Sequence, residues 1–183
     1  LAIHEDAGGG FQSAGERYLA SQVGRIRQYD IDRDGIGELL VPLPTQGEVL
    51  IVEPINDSWL LPRTWPLGAG PKRLIVDDRG GGDVRLLTLC DLAREVWVHR
   101  RDGREFVVER IVPIGFEPDE FQFVDLDGDD RSDLVVLDRQ GRVVLFPAAS
   151  DGSFGAPVTV LQSGVVAPDF YVGNVRGDGR PEI

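Results

Sequence analysis

Apolar positions along the chain fall in short runs rather than in helical stripes. In its middle the runs cover residues 73–76, 84–89, 95–99 and 106–112; further on they cover 121–124, 134–137, 143–146 and 158–161. They are short, rich in Val, Leu and Phe, and bounded by Gly, Pro and Asp, so they predict strands. No segment holds a helical period. Residues 14–22 are the least decided stretch and stay open between a helical turn and a strand.

The runs recur in a fixed order around an acidic segment. Tyr29-Asp-Ile-Asp-Arg-Asp-Gly-Ile-Gly-Glu-Leu-Leu-Val41 matches Val124-Asp-Leu-Asp-Gly-Asp-Asp-Arg-Ser-Asp-Leu-Val-Val136, with a weaker copy from Val76 and a fourth from Val172. The anchors Asp30, Asp77, Asp125 and Asn174 stand 47, 48 and 49 residues apart. Four strands in a repeat of about 48 residues is the arithmetic of a β-propeller blade. A solenoid repeat would be shorter, and a β-sandwich would not repeat its sequence. The fold expected is therefore all-β: a propeller of four-stranded antiparallel blades. Residues 1–24 form the outer half of one blade; 25–72, 73–120 and 121–168 are whole blades; 169–183 begins another. Closing the two ends into one shared blade would leave its second strand missing. The expectation is a partial ring, about four blades of a larger one. The opening at Leu1 and the lack of methionine fit an excised piece.

Charge adds candidate chemistry. With 31 acidic against 19 basic side chains the formal charge is −12, which argues against nucleic acid and anionic membranes as partners. No apolar run approaches the ~20 residues of a membrane-spanning helix. A single cysteine, Cys90, excludes an internal disulfide framework and a Cys-based zinc site.

Nine of the acids lie in two loops, eight at matching positions and Asp130 as the ninth. Asp30, Asp32, Asp34 and Glu38 occupy positions 1, 3, 5 and 9 of loop one, and Asp125, Asp127, Asp129 and Asp133 the same positions of loop three. Alternate residues of a tight loop can aim at one centre, and position 7, Ile36 or Arg131, would add its backbone carbonyl. Carboxylates so close repel unless a cation sits among them, and all-oxygen ligands in a flexible loop favour Ca²⁺. Position 6 needs a left-handed residue: Gly35 supplies it in loop one, and Asp130 is expected to tolerate it in loop three. An EF-hand fails, because position 12 is Val41 or Val136 inside a strand rather than a bidentate Glu. An RTX-type reading of Gly80-Gly81-Gly82-Asp83 lacks a nine-residue repeat. Loop two, with Asp77, Asp78 and Asp83, is shorter and expected to be a metal-free turn. Loop four offers Asn174, Asp178 and Glu182 for weak binding, but Arg176 at position 3 would replace the ion by a salt bridge. Two bound Ca²⁺ would bring the formal charge to about −8.

These motifs resemble the FG-GAP/VCBS repeat family, the calcium-loop propeller repeats also found in integrin α-subunit heads. The Asp-x-Asp-x-Asp-Gly-x-x-Glu-Leu core from Asp30 to Leu39 carries the match, with its variant from Asp125 to Leu134 and Gly-Ser-Phe-Gly-Ala-Pro from Gly152 to Pro157. The resemblance implies an extracellular, cell-surface or periplasmic propeller, usually of seven blades (about 340 residues at this repeat length), stiffened by calcium. It implies an adhesion, scaffold or interaction module that meets protein or polysaccharide, alone or as part of a larger assembly. The alternative is part of a catalytic propeller such as a polysaccharide lyase.

Other candidates are weaker. His99 is expected to be a half-exposed strand residue, and His4 is the only other histidine. Cys90 follows an apolar run and reads as a buried or edge thiol. Trp59, Trp65 and Trp97 are expected to pack blade on blade rather than stack on sugars. Arg176-Gly177-Asp178 spells an adhesion tripeptide inside a loop where Gly-Asp-Gly is expected anyway. No nucleophile elbow or phosphate loop appears. With two histidines, one lysine (Lys72) and three tyrosines, the material for lyase chemistry is scarce, and the chain is not expected to be an enzyme.

Overall fold

The computed structural model describes residues 2–6, 11–16, 22–55, 58–59, 63–78, 80–103, 105–162 and 170–173. They contain strands and turns and no helix. Strands β1 (Ala2–Asp6) and β2 (Phe11–Glu16) form an antiparallel pair, so residues 14–16 of the undecided stretch are strand. Three four-stranded antiparallel sheets follow. The first joins β3 (Arg27–Tyr29), β4 (Glu38–Leu43), β5 (Glu48–Val52) and β8 (Arg63–Pro66), with a small hairpin of β6 (Pro54–Ile55) and β7 (Ser58–Trp59) inserted before its last strand. The second joins β9 (Pro71–Asp78), β10 (Val84–Cys90), β11 (Glu95–Asp102) and β12 (Glu105–Pro113). The third joins β13 (Pro118–Val124), β14 (Asp133–Asp138), β15 (Arg142–Phe146) and β16 (Val158–Gln162). In the second and third sheets, neighbours in space are neighbours in sequence; in the first, β5 pairs with β8 across the inserted hairpin.

The middle strands read as nearly unbroken apolar runs because both sheet faces are buried. Successive side chains point to opposite faces, and the residues sort accordingly. In β10, Val84 and Leu86 pack with Leu40, Val49 and Ile51 of the first sheet, while Leu87 and Leu89 pack with Leu134 and Val136 of the third. In β14, Val135 and Leu137 join Val143 in a separate cluster on the far face. The second sheet is thus the filling between the other two along β10 and β11, while its last strand, β12, exposes Val107, Val108 and Ile111.

Contacts between sheets keep the period of the sequence. The Arg25 amide donates to the Lys72 carbonyl at 3.0 Å, and Arg27 Nε to the Leu74 carbonyl at 3.2 Å, each 47 residues away. Lys72 Nζ reaches Asp119 at 2.5 Å, again 47 residues on, and Arg139 reaches Asp91 at 3.4 Å across 48. Equivalent positions of successive repeats therefore touch. Trp65 packs its ring 5.0 Å from Phe106 across the first and second sheets, as the blade-packing expectation has it. Cys90 is buried, and burial pushes its thiol up to about 12, with the Gly68 amide pulling the other way.

His99 corrects the half-exposed expectation: its residue is 2% exposed. Around His99 both faces of β11 are covered, so a polar position there falls inside rather than outside. The imidazole stacks beside Trp97, ring centres 6.0 Å apart, and burial lowers its pKa against an opposing pull from the Leu86 backbone.

Candidate metal centre

Loops one and three join the first two strands of their sheets, β3 to β4 and β13 to β14. In both, position 9 opens the second strand and is buried: Glu38 is 3% exposed and Asp133 2%. Each turns back to accept the backbone N–H of position 2. Ile31 N donates to Glu38 Oε2 at 2.5 Å, and Leu126 N to Asp133 Oδ2 at 3.1 Å. Asp133 Oδ1 also accepts from Ala148 N at 2.7 Å, which ties the loop to the segment after β15.

Position 1 organises the remainder. Asp30 accepts from Asp34 N at 3.1 Å and Gly35 N at 3.0 Å; Asp125 accepts from Gly128 N, Asp129 N and Asp130 N at 2.7–3.2 Å. These are Asx-type bonds from a loop side chain to its own backbone. Position 6 is left-handed as expected, with φ of 90° at Gly35 and 64° at Asp130. Position 4 is left-handed too, with φ of 66° at Arg33 and 80° at Gly128. Nothing in the sequence pattern pointed to Arg33.

In loop one, oxygens of Asp30, Asp32, Asp34 and Glu38 lie within 4.8 Å of one another. In loop three, Asp125, Asp127 and Asp133 do so, and Asp129 is outside the group. The position-5 carboxylate is instead paired with the Arg131 guanidinium and accepts the Arg131 backbone N–H at 2.9 Å. In loop one, position 7 is Ile36, exposed, which donates its own N–H to Asp34 Oδ1 at 2.7 Å and brings no charge. The charges feel one another. Burial pushes the Glu38 carboxyl up; the Ile31 amide pulls it back, while Asp32 and Asp30 push further. Asp127 is held above the usual carboxylate range by desolvation and by the charge of Asp129. At Asp125 desolvation pushes up, but the amides of Gly128, Asp130 and Asp129 outweigh it and hold the group below that range. A buried carboxylate facing three others is a poor arrangement by itself and a good one around a hard cation.

The second loop works differently. Asp78 accepts the Tyr29 hydroxyl at 2.6 Å, lies 3.6 Å from Arg33 of loop one, and accepts Gly80 N at 2.9 Å. That bond from Tyr29 is the main pull holding Asp78 low, while burial and Asp78 together push Tyr29 up to about 12. Asp83 pairs with Arg85 at 2.9 Å. Among the described residues Asp77, Asp78 and Asp83 form no metal-type group. Asn174, Asp178 and Glu182 of loop four, with Arg176, lie outside the described residues, as does the tripeptide they share.

Three four-stranded sheets in series, each opening with a strand–loop–strand that is acidic in two of them, define a class of repeat protein. Residues 125–183 match the model of the FG-GAP-like repeat, so the resemblance expected from the motif is shown for that segment. No curated protein matches the chain. Among the described residues, no helix is long and apolar enough to cross a membrane.

Proposed function

We propose that the chain is a calcium-stabilised arc of β-propeller blades that serves as an interaction module, meeting protein or polysaccharide outside the cell or in the periplasm. The observation that carries the calcium reading is the convergence of Asp30, Asp32, Asp34 and Glu38. Its donor set is all oxygen and offers four carboxylates. The Ile36 carbonyl would add a fifth ligand, and Asp125, Asp127 and Asp133 with the Arg131 carbonyl would hold a second ion in loop three. The match to the FG-GAP-like repeat supports the propeller reading, as do sheets packed face to face at the sequence period. The ion's role is structural: it neutralises the loop acids and fixes two strands together. The catalytic alternative draws no support from His99, whose imidazole is buried and unable to reach a substrate.

The test is thermal melting with calcium and with EDTA. A cation bound only by the folded state stabilises it by about 2.7 kcal/mol at a hundredfold excess over Kd. EDTA is expected to lower Tm, and Asp32→Ala and Asp127→Ala each to remove part of the calcium-dependent rise. An unchanged melt in chelator contradicts the metal assignment.

A further inference from the structure

Resting on that reading of the loops, we infer that Arg131 is an internal counter-ion that makes loop three the weaker of two unequal calcium sites. The two loops have the same carboxylates at positions 1, 3 and 5, yet only loop one brings position 5 into its cluster. The difference lies at position 7. Ile36 carries no charge, whereas the Arg131 guanidinium is bonded to Asp129 from two residues away. Both Asp129 oxygens are engaged by Arg131, Oδ1 by its backbone N–H and Oδ2 by its guanidinium, and the carboxylate stands outside the group that its counterpart Asp34 joins. Calcium must therefore displace the guanidinium, and its binding is reduced by the energy of that pair and by the repulsion between two cations in one loop.

Displacement is feasible on this geometry. The Arg131 side chain is 43% exposed and its Nε, shielded from solvent, has no hydrogen-bond partner, so the pair is incompletely satisfied. A cleft of about 150 Å³ between the second and third sheets opens beside it, lined by Arg131, Glu109, Ser132 and Ser150 among others. Glu109, already paired with Arg85 at 2.9 Å, offers the displaced guanidinium an acidic neighbour. Loop one has no such internal cation at position 7 and fills first.

Isothermal titration of the whole chain with CaCl₂, after chelator and dialysis, tests this. Two sites of different affinity are expected. Asp32→Ala should remove the tighter and Asp127→Ala the weaker. Arg131→Ile should tighten the weaker site by about tenfold and leave the tighter one unchanged. Ile36→Arg should weaken the tighter site by a similar factor, which keeps the inference testable if Arg131→Ile fails to fold. Two sites of equal affinity, or no change at the weaker site in Arg131→Ile, overturn the inference and leave calcium binding standing. No heat and no calcium-dependent Tm shift in any variant overturns the calcium reading itself, and the inference with it.

Discussion

Glu38 does two jobs with one side chain, and substitution separates them. Its carboxylate satisfies the Ile31 N–H in a buried place and faces Asp30 and Asp32. Glu38→Gln keeps an acceptor for that amide and removes the charge. Without metal its stability should stay within about 1 kcal/mol of the parent, while its gain from calcium shrinks. Glu38→Ala removes the acceptor and should cost about 1–3 kcal/mol even in EDTA. Denaturant unfolding in EDTA and in calcium checks both; a Gln variant that gains as much from calcium as the parent contradicts the ligand role. His99 sets a pH dependence of definite sign. Its folded pKa lies below the ordinary 6.5 because burial disfavours the imidazolium. Between the two values the unfolded chain binds more protons, so His99's contribution is complete above pH 6.5 and is lost as pH falls through the folded value. Unfolding free energies from pH 7.5 to 5 should decline in the parent and decline less in His99→Leu. Equal slopes would contradict the assignment.

At the scale of the element, the two acidic loops use one backbone with exchanged glycines. Positions 4 and 6 are both left-handed, and each loop places a glycine at one and another residue at the other: Arg33 with Gly35, Gly128 with Asp130. Asp130→Gly should leave stability unchanged or slightly higher, since relief of the left-handed strain offsets the added freedom of the unfolded chain. Asp130→Val should cost more than about 1 kcal/mol, because a β-branched side chain is forced into the same conformation; chemical denaturation in EDTA separates the two. A valine as well tolerated as glycine would show that the loop adapts its backbone. The strands, the loop anchors and the left-handed residue at position 6 were legible in the sequence because they rest on local pattern: apolar runs, Asp at alternate positions, Gly at turns. The left-handed Arg33 was not, since arginine carries no turn signal. The loss of Asp129 to Arg131 was not either, because a list of carboxylates does not say which one a nearby cation takes. His99 was misplaced for a tertiary reason. Polar-out alternation assumes a solvent face, and β11 has none around His99. The β6–β7 hairpin lay in a stretch where Pro and Trp obscure the period.

Over the whole molecule, the sheets are joined by more than apolar packing. Glu120 on β13 is 6% exposed, and its carboxylate lies 3.0 Å from Arg73 Nε on β9 and 3.6 Å from Arg25 just before β3. One acid of the third sheet therefore faces a guanidinium from the second and another from the chain entering the first. The Arg73 approach is not aligned as a hydrogen bond, so it acts through charge. Only the Glu120 side of this group is buried, since the Arg73 and Arg25 side chains are 21% and 46% exposed. Removing Glu120 strands two guanidiniums that solvent partly reaches, so the cost falls below about 3–5 kcal/mol, the figure for a fully buried pair. Glu120→Ala is thus expected to destabilise the chain by about 1–3 kcal/mol, whereas Lys72→Ala, at a partly exposed pair with Asp119, should cost about 1 kcal/mol or less. The position of Glu120 makes the loss spread. Amide exchange should quicken in β3 and β9 as well as β13, because sheets that share contacts open together. Calcium should raise the Tm of Glu120→Ala by about as much as that of the parent, since the loops and this junction share no residue. Exchange that quickens in β13 alone would show that each sheet opens independently, with packing between sheets too weak to couple them.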